Sequence, residues 1–295
     1  MNISNLVGSI PALITPFVGG HVDFDALQQL VEWHIKEGSS ALVIGGTTGE
    51  SATLQRQELG EMVAVAVQAA AGRIPIIGGT SSNCTAEAIA RTEVVEKAGA
   101  QATLHATGFY NRPSAEQVIA HYEALSSAAI TPIIMYDIPG RTGLSLNVES
   151  VVDIANIPGI GGIKDSTGNL GRLTEQRINI GKPFVFLSGD DFSVPGYLAH
   201  GGSGVISVTA NVVPGLMARL CTAALGGNFQ AARELHETLL PLHQALMASP
   251  SPAPSKYALS RLGLCHEELR MPMSCAPEKV RQQVDETIKK LGLTQ

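Results

Sequence analysis

Lys164 closes the run Gly161-Gly162-Ile163-Lys164, and a primary amine directly after a short apolar stretch is costly to bury unless it is used. A low-dielectric wall disfavours an ammonium and frees an amine to attack a ketone, so imine formation is one reading of this residue. A structural ion pair with Asp165 is the other, and position alone does not separate them.

Other apolar runs also end in groups that could do chemistry. Gly45-Gly46-Thr47-Thr48-Gly49-Glu50 is a glycine-rich turn whose N–H groups and two hydroxyls suit a small anion such as a carboxylate, or else an ordinary tight turn with a helix cap. It matches neither the phosphate loop ending in Gly-Lys-Ser/Thr nor GxGxxG, so neither ATP nor NAD is supported. Met135-Tyr136-Asp137-Ile138-Pro139-Gly140-Arg141 offers a phenol for proton transfer and a planar guanidinium for a second carboxylate. Tyr110, in Phe109-Tyr110-Asn111-Arg112-Pro113, is a further phenol. Singly, a core tyrosine or a solvated arginine explains each as well; together, after successive apolar runs, they read as one site.

The elements that must position these groups form a regular series. Eight apolar runs read as buried strands: Ser9–Pro16, Ala41–Gly45, Pro75–Gly79, Ala102–Ala106, Pro132–Tyr136, Gly161–Lys164, Phe184–Ser188 and Gly204–Ser207. Helical spacing fills the gaps, as in Phe24–Glu37, Arg56–Ala71 and Ala115–Ala128. Strands apolar on both faces imply a parallel sheet covered by helices. Eight such units in this length favour a (β/α)8 barrel over a doubly wound open sheet, with the chemistry at the C-terminal ends of the strands. After Gly226 the strand signals stop, and Phe229–Met247 and Pro277–Leu291 flank a proline-rich break at Ser249–Pro254. The expected division is a barrel over residues 1–225 and a C-terminal helical extension over residues 226–295.

Composition narrows the function classes. With 295 residues, 44% hydrophobic and 16% charged, the chain has ample material for a core. A net charge of -6 and no basic, aromatic-interleaved run argue against nucleic acid. There is no basic leader before an apolar segment and no apolar stretch of about 18 residues, so a cytosolic protein without membrane spans is expected. Cys84, Cys221, Cys265 and Cys275 form no CxxC pair, so neither a zinc knuckle nor a disulfide framework is indicated.

Over nearly its whole length the chain resembles the pyruvate-dependent class I aldolases of the dihydrodipicolinate synthase and N-acetylneuraminate lyase group. The resemblance is carried in order by Gly46–Glu50, Tyr110–Pro113, Tyr136–Pro139, Gly162–Lys164, Ser188-Gly189-Asp190-Asp191 and Gly204–Asn211. It implies Lys164 as the Schiff-base lysine, Thr48 on the pyruvate carboxylate, and a proton relay of Thr47, Tyr136 and Tyr110. In the family's homotetramer, a dimer of dimers, Tyr110 would come from a neighbouring subunit, and Gly189 and Ile206 would contribute backbone contacts. Arg141 stands where members acting on aspartate semialdehyde carry an arginine for its distal carboxylate. The resemblance therefore implies condensation of pyruvate with L-aspartate 4-semialdehyde to 4-hydroxy-tetrahydrodipicolinate in lysine biosynthesis, with no pyridoxal phosphate, metal or nucleotide.

A catabolic aldolase releasing pyruvate from a sugar acid or hydroxy-oxo acid would use the same lysine. A non-catalytic carboxylate sensor on the same barrel is the alternative from another class. Three departures from the family pattern leave the reacting groups in place: Gly108-Phe109 for Pro-Tyr, Asp137 for asparagine and Asp165 for glutamate. Phe109 lacks the hydroxyl found at the lysine-effector site of feedback-inhibited members. Arg56 and Leu59 stand where some of those members have histidines, although Ser51, Asn83 and Glu87 are retained.

Overall fold

Ten strands occur in the computed structural model, which describes residue 3 and residues 6–293: β1 (Gly8–Pro11), β2 (Phe17–Val18), β3 (His21–Val22), β4 (Leu42–Ile44), β5 (Ile76–Gly79), β6 (Ala102–His105), β7 (Ile133–Asp137), β8 (Ile160–Asp165), β9 (Val185–Ser188) and β10 (Gly204–Ser207). Eight of them form one parallel sheet in the order β1-β10-β9-β8-β7-β6-β5-β4. The ends of that sheet meet, because Ala12, just past β1, bridges Val43 of β4 in parallel, and the Leu13 N–H donates to the Val43 carbonyl at 3.0 Å. The sheet is thus a closed barrel, and the open-sheet alternative is set aside.

Helices α1 (Phe24–Lys36), α2 (Arg56–Ala70), α3 (Thr85–Lys97), α4 (Ala115–Ala128), α5 (Pro139–Thr142), α6 (Val148–Asn156), α7 (Leu170–Ile180), α8 (Val194–Ala199) and α9 (Pro214–Leu225) lie between and after the strands. Their starts are written in short polar side chains. Asp23 caps α1 by accepting the Ala26 N–H at 2.9 Å, Ser114 and Gln117 form a reciprocal capping box on α4, and Asn147 and Asn169 cap α6 and α7.

Period-two alternation sorts the strand residues. One set, including Ile10, Val43, Ile77, Leu104, Ile134, Tyr136, Leu187 and Ile206, fills the barrel interior. The other, including Ile44, Ile76, Ile133, Met135, Ile163 and Phe186, packs outward against the helices.

Two features differ from the sequence expectation. The first apolar run is a strand only over Gly8–Pro11, and Phe17–Val22 folds back as the small antiparallel hairpin β2-β3, turning on Gly19 and Gly20 at φ 58 and 82. The proline-rich break contains the start of a helix, so three helices follow α9: α10 (Phe229–Met247), α11 (Ala253–Arg261) and α12 (Glu278–Lys290). Pro252 and Pro254 sit at the cap and in the first turn of α11, where a helix leaves its N–H groups unbonded and a missing one costs nothing.

Candidate active site

Strands β7 and β8 set the two central groups side by side. Their register pairs Tyr136 with Lys164 and Asp137 with Asp165. Because successive side chains alternate, Tyr136 and Lys164 share the interior face while the two aspartates share the outer one. The Lys164 Nζ lies 4.2 Å from the centroid of the Tyr136 ring, and both residues are buried, at 5% and 7% exposure. Lys164 makes no ion pair among the described residues.

Asp165, the alternative partner for that lysine, faces away from it. Its Oδ1 accepts the Thr167 N–H at 2.8 Å and the Thr167 hydroxyl at 2.6 Å, and its Oδ2 lies 3.5 Å from Arg172. Arg172 of α7 also pairs with Asp137 at 2.7 Å. One buried guanidinium thus staples the ends of β7 and β8 from behind, at the residues that follow Tyr136 and Lys164. Burial pushes the Asp137 carboxyl up to about 6, since desolvation outweighs the attraction of Arg172 and nearby Asp165 adds repulsion. Sequence reading missed this cluster, although Asp137 and Asp165, each one residue past a candidate site residue, were its visible signal.

Gly189, after β9, lies against the lysine stem. A Cβ there would fall 2.8 Å from Lys164 Cε and closer still to the Ser166 hydroxyl, so a side chain would displace the amine. Ile206 lies in β10 within the interior cluster that holds Tyr136. The loop beyond it is fixed by buried Asp191, which accepts the N–H groups of Val208 and Thr209 at 3.0 and 2.9 Å.

The glycine-rich turn follows β4. Thr48 is buried and Thr47 half-buried. Thr47 lines a cavity of about 410 Å³ together with Arg141, Ile138 and Phe109, and Ile138 also packs on the interior cluster. Arg141 is exposed on α5, whose start at Pro139 suits the fixed φ of proline. The structure thus brings Thr47 and Arg141 to one opening above the strand ends. Glu87 and Ser51 line the same cavity, and Glu87 is held by Arg91 at 3.0 Å and Arg56 at 3.4 Å. Tyr110 is 93% exposed, with φ at 73, a strained value for a tyrosine, and lines a neighbouring surface cavity that also includes Phe109 and Arg141.

Among the described residues no group of three or more His, Cys, Asp or Glu is placed to hold a metal, and no helix is long and apolar enough to cross a membrane. The arrangement supplies an unpaired buried amine, a phenol against it, hydroxyls at a turn and a cationic fork at the opening. That set can form an imine with a small carboxylate-bearing ketone and move protons beside it.

Comparison with known proteins agrees with this geometry. The model of the dihydrodipicolinate synthetase family matches residues 5–291. A 4-hydroxy-tetrahydrodipicolinate synthase of Ruegeria pomeroyi is 46% identical over 286 residues, covering 97% of this chain and 99% of that protein. The crystal structure of dihydrodipicolinate synthase from Aquifex aeolicus superposes with a TM-score of 0.94 at 38% identity, covering 97% and 98% of the two chains. The chloride-inhibited enzyme of Acinetobacter baumannii complexed with pyruvate does so at 0.95 and 38%, covering 98% and 99%. With a closed parallel barrel, a lysine and tyrosine paired across β7 and β8, and similarity along nearly the whole chain, the protein belongs to the dihydrodipicolinate synthase family.

Proposed function

We propose that the chain is a 4-hydroxy-tetrahydrodipicolinate synthase, condensing pyruvate with L-aspartate 4-semialdehyde. The observation that carries this reading is Lys164, buried, free of any ion pair among the described residues, and 4.2 Å from the Tyr136 ring centre. The Lys164 amine adds to the pyruvate ketone and water leaves, giving an imine whose positive nitrogen draws electrons from the methyl carbon. That carbon loses a proton and becomes an enamine, which attacks the aldehyde of the semialdehyde. The semialdehyde's own amine then closes on the imine carbon and displaces Lys164, and the protein needs no cofactor as electron sink.

Each remaining residue has a part. Thr48 and the turn N–H groups hold the pyruvate carboxylate; Thr47, Tyr136 and Tyr110 pass protons; Gly189 and Ile206 shape the pocket through their backbone. Arg141 receives the distal carboxylate of the semialdehyde, for which its exposed position at the cavity opening is suited. The exposure of Tyr110 supports a phenol donated to a neighbouring subunit, in a homotetramer in the cytoplasm. In this reading residues 1–225 carry the chemistry and residues 226–295 brace it.

Borohydride added with pyruvate should fix a mass adduct on the Lys164 peptide, and trapping on another lysine, or none, would overturn the assignment. Replacing Arg141 with alanine should depress turnover of the semialdehyde far more than imine formation with pyruvate. Equal losses would make that arginine structural.

A further inference from the structure

Glu50 ends the glycine-rich turn in a left-handed conformation, φ 57, which is uncommon for a residue with a side chain. Such an outlier persists only where its surroundings hold it. Its N–H donates to the Thr47 carbonyl at 3.1 Å, and the Ser51 N–H donates to Gly46 at 3.2 Å, so the conformation of Glu50 closes the turn that presents Thr47 and Thr48.

Both oxygens of the buried Glu50 carboxylate are held by the C-terminal extension. Lys256 of α11, at 0% exposure, donates from Nζ to Oε1 at 2.5 Å, and the Arg270 N–H donates to Oε2 at 3.1 Å. Lys256 also donates to the Glu268 carbonyl at 2.6 Å and lies 4.1 Å from the centre of the Phe17 ring in the β2-β3 hairpin. The Glu268 carboxylate in turn accepts the N–H groups of Gly19 and Gly20 in that hairpin at 2.8 and 2.5 Å.

We propose that Lys256 is a positioning residue: through Glu50 it holds the Thr47–Thr48 turn in the shape that receives the substrate carboxylate, so the C-terminal extension sets affinity for the 2-oxo acid without touching it. This rests on the reading of that turn as the carboxylate grip. Releasing Glu50 lets its strained backbone relax, and the turn's hydroxyls and N–H groups then lose their common aim.

The test is a pyruvate titration with borohydride trapping, read as adduct mass on Lys164, alongside thermal unfolding. It compares the unaltered protein, Lys256→Met and the double variant Lys256→Met/Glu50→Gln. The pyruvate concentration giving half-maximal trapping should rise about 10- to 100-fold in Lys256→Met, the scale expected of a misaligned site. In the double variant no charge is left unpaired, so unfolding should return toward that of the unaltered protein while the pyruvate requirement stays raised. The semialdehyde KM at saturating pyruvate should change little in both.

An unchanged pyruvate requirement in either folded variant overturns the proposal. If both unfold, Glu50→Gln takes their place with the same two outcomes. No adduct on the unaltered protein would instead sink the synthase reading itself.

Discussion

Lys164 and Lys256 are both buried, at 5% and 0% exposure, yet they are surrounded in opposite ways. Lys256 is enclosed by a carboxylate, a carbonyl and an aromatic face, so its ammonium is compensated, although burial still draws its pKa below the ordinary value. Lys164 has no carboxylate partner among the described residues and faces a phenol in the barrel interior. The difference lies in what surrounds each amine. A paired amine is held in place and carries structure, while an unpaired one beside a proton donor stays open to reaction.

Four single substitutions, one of them extended by a second-site change, can break or sharpen this contrast. Lys164→Met should abolish imine trapping and lower turnover on the order of 10⁴-fold or more. Because no ion pair among the described residues is broken, its thermal unfolding should stay close to that of the unaltered protein; a large loss of stability would mean that Lys164 is a structural lysine after all. Lys256→Met should do the reverse to stability, costing about 3–5 kcal/mol in chemical denaturation because Glu50 is left buried and unpaired. Adding Glu50→Gln should recover much of that loss.

A third substitution concerns the charges behind the strands. The Asp137 carboxyl is raised to about 6, so its protonated form is the one folding favours. Its contribution to stability is fully present below the unfolded value near 4 and is lost as pH rises through about 6. Asp137→Asn should remove that dependence, worth up to about 3 kcal/mol between the two limits. Denaturant midpoints measured from pH 4 to 7 would reveal it, and parallel curves for the two proteins would refute it.

Gly189→Ala should cost about 1–3 kcal/mol of stability from crowding. Its informative readout is trapping on Lys164, which should slow while Lys256 and its partners are untouched, since the new methyl meets the Lys164 stem.

Much of the barrel was legible in the sequence. The buried strands read as apolar runs because both of their faces are covered, and the polar residues after those runs marked the barrel mouth. Three features were hidden. The start of α11 was masked by Pro252 and Pro254, which signal a break unless their place at a helix start is known. The Asp137–Arg172–Asp165 cluster lies on the outer face of β7 and β8, and only the strand register shows that one arginine reaches both carboxylates. The Glu50–Lys256 pair joins residues 206 positions apart, a distance over which no local pattern operates.

The sequence by itself determined which groups could react and which elements had to carry them, because helical period, strand alternation and capping are local properties of the chain. Only the tertiary structure decided how those groups are partnered. Whether a buried amine is compensated depends on charges brought to it from distant segments: Asp165 turns to Arg172 and leaves Lys164 without an ion pair among the described residues, while Glu50 meets Lys256 from the opposite end of the chain.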